Sequence, residues 1–137
     1  MNAFDLFNKY EQEMMLQVYH VQGQTALLDS DVANLFGVEI RNLTQTVMRF
    51  RDRFPRNFMI ELSGKELEEY RGTLESSRAG KIKDRDSVMA FTTQGLLMLV
   101  FVLKCPMAEF VSIYFAEIAS KYIDFLNQNR ESLFTNN

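Results

Sequence analysis

Residues 28–56 read LDSDVANLFGVEIRNLTQTVMRFRDRFPR, and the fold turns on this stretch. Asp29 or Ser30 offers a side-chain oxygen that can cap a helix, and Val32, Ala33, Leu35 and Phe36 then supply its inward side. Gly37 ends that helix after two turns, because glycine accepts the left-handed backbone a helix stop needs. A second helix is expected over 39–53, with Ile40, Leu43, Val47, Phe50 and Phe54 as one narrow apolar stripe. Pro55 pushes Phe54 towards an extended backbone and closes the helix. Ala33 is small where the second helix crosses, and Val38 and Leu43 plug the junction. Two short helices around a glycine turn make the helix-turn-helix pattern, whose second helix enters the DNA major groove.

The other face of that second helix carries Arg41, Thr44, Gln45, Met48 and Arg49. Arginine suits a guanine edge, glutamine an adenine edge, threonine a base or phosphate, and a methionine tip a thymine methyl. Arg51, Arg53 and Arg56 follow and suit phosphates, which position a protein without reading sequence.

Charge along the chain agrees with this reading although the total does not. The 137 residues hold 15 Lys+Arg against 18 Asp+Glu, a net charge of −3. Between Arg41 and Arg56, five arginines face one aspartate, giving +4. Between Arg78 and Arg85, four cations face Asp84, giving +3 and leaving −10 for the remainder. Local islands focus potential irrespective of the total. The second island, with Lys81, Lys83 and Arg85 in a polar stretch around Gly80, is expected as an exposed loop flanking the DNA backbone.

The rest of the chain frames this motif. Residues 3–15 carry Phe4, Phe7, Tyr10, Met14 and Met15 at near-helical spacing, so 1–16 is expected as an N-terminal helix. Residues 17–22 and 24–28 around Gly23 suit a hairpin. Phe58, Ile60 and Leu62 alternate as a half-buried strand, and Ser63 with Glu66 has the spacing of a capping box opening a helix to Leu74. Val88–Phe91 suits a strand pairing with 58–62. Thr92 or Thr93 caps a helix whose apolar run Leu96–Leu103 predicts burial on nearly every side. Cys105 and Pro106 break the chain before a final helix over 107–127. The expected architecture is α+β, one domain over 17–128 with two packed C-terminal helices and a tail at 129–137.

Chemistry-bearing clusters are sparse. The chain has one histidine, His20, and one cysteine, Cys105, too few for a metal site or a disulfide framework. Six scattered glycines offer no phosphate-binding loop. The apolar run of eight residues is far short of the roughly 20 needed to cross a bilayer. No enzyme, cofactor, metal or membrane partner is expected, and a single thiol with no secretory pattern suits the cytoplasm.

Gly23, Leu28-Asp29-Ser30-Asp31-Val32-Ala33, Phe36-Gly37-Val38, Leu43, Val47, Arg49 and Arg53-Phe54-Pro55 occur in that order. Phe58-Met59, Leu62, Glu66, Ala90-Phe91-Thr92 and Gln94-Gly95 follow. Over most of the chain, this series resembles the ORF-six-N branch of the KilA-N/Bro-N-like domains of bacteriophages and prophages. Arg53-Phe54-Pro55 and Phe91-Thr92 with Gln94-Gly95 are its most specific segments. The resemblance implies a small DNA-binding domain of the kind found in phage antirepressors and related regulators. The sequence departs from the family pattern at Gln22, Thr44, Met48 and Glu117. The expected function is therefore a phage- or prophage-derived transcriptional regulator on double-stranded DNA, a homo-oligomer through its C-terminal helices. The alternative is an antirepressor-like module that binds another regulator protein through the same apolar helices.

Overall fold

The computed structural model describes residues 18–130, in which four strands and six helices form. β1 (Tyr19–Val21) and β2 (Gln24–Leu28) make a hairpin turned at Gln22 and Gly23. α1 (Asp29–Phe36) and α2 (Ile40–Arg49) follow, then a 3-10 turn at Arg51–Arg53. β3 (Met59–Ser63) leads into α3 (Gly64–Gly72), then α4 (Ser76–Ala79), a second 3-10 turn (Gly80–Ile82) and β4 (Ser87–Phe91). α5 (Thr93–Val102) and α6 (Pro106–Gln128) complete the described chain, with a bend of 108° between them. The class is α+β, as the sequence implied. The helix expected over 1–16 lies outside the described residues, as does most of the tail, 131–137.

The strands pair antiparallel in the order β1-β2-β4-β3. Alternation sends Leu27, Met59, Met89 and Phe91 to one face, under Val32, Phe36, Leu43, Val47 and Leu99. Leu28, Ile60, Leu62, Val88 and Ala90 point to the other, under Leu67 and Ile82. Both faces are covered, so β3 is more than half-buried and Met59 belongs to the core. At the α1–α2 turn, Gly37 takes φ 69°, and Val38 donates its N–H to the Ala33 carbonyl at 2.9 Å. Ala33 and Leu43 are buried beneath it, as their sizes predicted.

Several local expectations give way to longer-range contacts. α1 has Leu28 at its N-cap position and no side-chain cap. Asp29 instead turns into the interior, where its carboxylate accepts from Arg85 Nη1 and Nη2 at 3.0 and 2.7 Å and from the Met89 N–H at 3.0 Å. Ser63 forms no capping bond, and Glu66 accepts from the Gln22 amide on the hairpin. α2 stops at Arg49, and Phe50 leaves helical geometry (φ −113°, ψ 35°) so that Phe54 can reach the core. Phe54 lies edge-on to Phe91, with 6.2 Å between ring centroids. Of the stretch 76–87, expected as an exposed loop or hairpin tip, residues 76–82 fold into helical turns that bury Ile82 completely, and Ser87 opens β4. α5 is less enclosed than its composition suggested, since Leu97 and Phe101 are exposed.

Thr92 caps α5 as expected, accepting from the Gly95 N–H at 3.3 Å. Its own hydroxyl lies 2.7 Å from the Asn57 carbonyl and 3.1 Å from that of Phe58, positioned to donate. The Thr92 N–H also donates to Phe58 O at 3.0 Å. A Cβ at Gly95 would stand 1.9 Å from that same oxygen. Gly95→Ala must therefore push two backbones apart. It is expected to cost roughly 3 kcal/mol, the upper end of overpacking penalties, measured by urea denaturation.

Asp29 and Asp31 behave differently on substitution. Asp29→Ala strands the Arg85 guanidinium and is expected to cost about 3–5 kcal/mol, as for other broken buried pairs. Asp31 has Lys81 Nζ 3.7 Å from Oδ1, while Oδ2 is buried with no hydrogen-bond partner. Burial raises its pKa, with Lys81 opposing the shift. The folded state thus holds this proton more tightly than the unfolded chain. The associated stability is present in acid and lost as pH rises through the raised pKa. Asp31→Asn should leave the Tm at neutral pH equal to or above that of the parent. The difference should shrink below the ordinary carboxylate range, as read by thermal melts across pH.

Candidate nucleic-acid interface

α2 buries Leu43 and Val47 and turns the opposite side outward. Arg41, Gln45, Met48 and Arg49 are all exposed on that side, and Thr44 is half-buried at its edge. Asn42 joins them, one position round from Arg49. It sits three residues before Gln45 and seven before Arg49, a helical spacing already present in the sequence.

The three arginines beyond the helix are partly engaged. Arg51 pairs with Glu61 on β3 at 2.9 Å and lies 3.3 Å from the Met48 sulfur. Arg53 stacks over Phe50, 5.5 Å from the ring centroid. Arg56 donates to the Gln22 side-chain oxygen. All three remain exposed, so their charges still contribute to the field along this edge.

Lys104 is a further cation, beside Arg49, and the charge islands did not include it. Leu103 and Cys105 on either side are buried, with extended backbone, so the residue between them is turned to solvent. This in-out alternation sets Lys104 on the wall of a cleft shared with Asn42, Gln45, Thr46, Arg49, Phe50 and Val102. The cleft, about 140 Å³, is below the roughly 300–1,000 Å³ of small-molecule sites. It opens beside two cations and two side-chain amides, a donor-rich surface suited to an anionic polymer. Lys104 escaped the sequence reading because it neighbours Arg49 only in space.

The second basic island is arranged otherwise. Arg85 is held by Asp29, whose hydrogen bond raises its pKa against the effect of burial. Arg78 donates to the Val18 carbonyl at 2.7 Å and lies over the Tyr19 ring at 4.8 Å. Lys81 faces Asp31. Lys83 is exposed. The island that summed to +3 in sequence thus serves largely to fasten residues 76–87 onto α1 and the hairpin. Among the described residues, no group of three or more His, Cys, Asp or Glu side chains is placed to hold a metal ion. No single described helix is long and apolar enough to cross a membrane.

Comparison with curated proteins and with solved structures gives no match. Comparison with protein families matches the ORF6N domain over residues 16–102. That span runs from the hairpin through α5 and includes the α1–α2 turn, the Arg53-Phe54-Pro55 segment and the Thr92–Gly95 cap. The chain belongs to the ORF6N domain family.

Proposed function

We propose that this ORF6N domain is a phage- or prophage-derived regulator that binds duplex DNA in the cytoplasm, with α2 lying in the major groove. The observation that carries the reading is the outward face of α2. Arg41, Asn42, Gln45, Met48 and Arg49 stand exposed on a helix anchored from behind by Leu43 and Val47. Arginine and amide side chains read base edges bidentately, and methionine accepts a thymine methyl. In this reading Arg49 is a base or inner phosphate contact. Arg53, Arg56 and Lys104 hold the flanking backbone, which fixes register without reading sequence. The α1–α2 arrangement resembles the helix-turn-helix, in which the second helix reads and the first crosses the backbone.

The structure suggests a smaller contribution from the second island than its charge implied. Arg85 is held by Asp29 and Lys81 lies beside Asp31, so Lys83 is the cation from that stretch best disposed to meet phosphate. The alternative reading, a module acting on another regulator protein, draws on the apolar surface of α6. It differs in predicting no affinity for duplex DNA.

A salt titration separates the two readings. Four phosphate contacts, from Arg53, Arg56, Lys83 and Lys104, predict that log K falls against log salt with a slope of about −3.6. Absence of duplex binding at low salt would sink the DNA reading. Arg49→Ala is expected to weaken a specific site by about 1–3 kcal/mol with no change in Tm, because the side chain lies off the buried stripe. Lys104→Ala should weaken all sequences alike and reduce the slope by about one. Fluorescence anisotropy on specific and random duplexes reads both.

A further inference from the structure

We propose that the distal part of α6 is the interface between two copies of this chain, packed antiparallel as a two-fold pair. α6 starts against the core through Met107, Ala108 and Val111, and Ala108 is its one buried residue. The stripe making those contacts continues past the domain. Val111, Phe115, Ile118, Tyr122 and Phe125 recur at alternating steps of four and three residues, the spacing of a coiled-coil seam. Phe115 meets Phe101 edge-on, 5.8 Å between centroids. Beyond it, Ile118, Tyr122 and Phe125 are 49%, 63% and 56% exposed.

The size of this surface suits a weak, reversible dimer. Phe115, Ile118, Tyr122, Phe125 and Leu126 share one face of α6 and are exposed at about half their area on average. Taking roughly 150–250 Å² for each side chain, they present roughly 400–600 Å². That reaches the upper range of the largest apolar patch on a typical monomer, about 300–600 Å², and two such faces together fall at the low end of interface sizes, about 1,200 Å² or less.

Self-complementarity identifies the occupant. An antiparallel second copy can be registered with its Tyr122 opposite Ile118 and its Phe125 opposite Phe115. The two-fold axis makes each of those contacts twice. Ala119 flanks the seam on one side and allows close approach. Between Phe110 and Gln128 the only charged residues are Glu117, Lys121 and Asp124. The same register brings Glu117 of each copy near Lys121 of the other, so an identical chain answers its own charges.

Sedimentation velocity of the full chain without DNA tests this directly. A concentration-dependent monomer–dimer equilibrium is expected. Ile118→Glu with Tyr122→Glu should weaken it by about a hundredfold while circular dichroism still reports a folded domain, since neither side chain is in the core. Lys121→Glu should also weaken it, and adding Glu117→Lys should restore it. A monomer at every concentration overturns the proposal, as does a dimer indifferent to the paired glutamates. Failure of the charge exchange to restore association overturns the register. Because no DNA is present, these outcomes are separate from those of the salt titration.

Discussion

The carbonyl oxygen of Phe58 is the point on which this structure depends. It accepts the Thr92 N–H and has the Thr92 hydroxyl within reach, and it occupies the space that any side chain at Gly95 would need. Pro55 O takes the N–H groups of Phe58 and Met59, at 2.7 and 3.0 Å, and so fixes where that carbonyl stands. Phe54 meanwhile packs edge-on to Phe91. The end of α2, the start of β3 and the start of α5 are thereby joined within a few residues. Their relative placement sets the cleft in which Arg49 and Lys104 face the same solvent. The two segments on which the family resemblance chiefly rested, Arg53-Phe54-Pro55 and Phe91-Thr92 with Gln94-Gly95, are the two sides of this joint. Family membership here is written in residues that build the scaffold. The residues that would read DNA lie elsewhere, on the outer face of α2.

Charge counted along a sequence says where cations are, not whether they are engaged. The first island keeps its exposed side chains because α2 directs alternate sides of one helix to core and solvent. The second is denser in cations but meets Asp29, Asp31 and the Tyr19 ring across the fold. Asp29 is nearly inaccessible, and such a carboxylate is tolerable only with several donors around it. Arg85 and the Met89 amide supply them, and in doing so tie α1 to β4. A pair of aspartates at a helix start suggests an interaction with the helix dipole. Here the stronger determinant is a cation 56 residues away in sequence.

What was legible in the sequence was chemistry that acts over a few residues. Gly37, the Thr92 cap, the hairpin around Gly23 and the β3–β4 pairing all follow from local backbone preference or short periodicity, and all occur. What was not legible needed a partner from elsewhere in the chain. Ser63 and Glu66 have capping-box spacing, yet Glu66 binds Gln22 because the hairpin lies within reach. Residues 76–82 look like a loop because they are polar and short, and only the burial of Ile82 beneath the sheet makes them helical turns. The candidate site divides the same way. Arg41, Gln45 and Arg49 came from helical spacing, whereas Lys104 came from the alternation imposed by Leu103 and Cys105, two anchors whose burial no local pattern announced.

That same short segment connects the two surfaces of the protein. Leu103, Lys104 and Cys105 leave α5 in extended form, and Pro106 then opens α6 after a bend of 108°. Proline is well placed at a helix start, where its missing N–H has no partner to lose. The bend that turns Lys104 towards Arg49 is therefore also the bend that directs α6 away, with its apolar stripe continuing past the core. A helix of 23 residues spans about 34 Å, and its turns beyond Phe115 are largely exposed. In proteins most helical stability comes from packing an amphipathic face rather than from propensity. Either a partner surface stabilises α6, or its distal turns must rely on helix propensity alone. Its many β-branched and aromatic residues make that second alternative unfavourable. An apolar stripe of this kind gains most when it is buried against another surface.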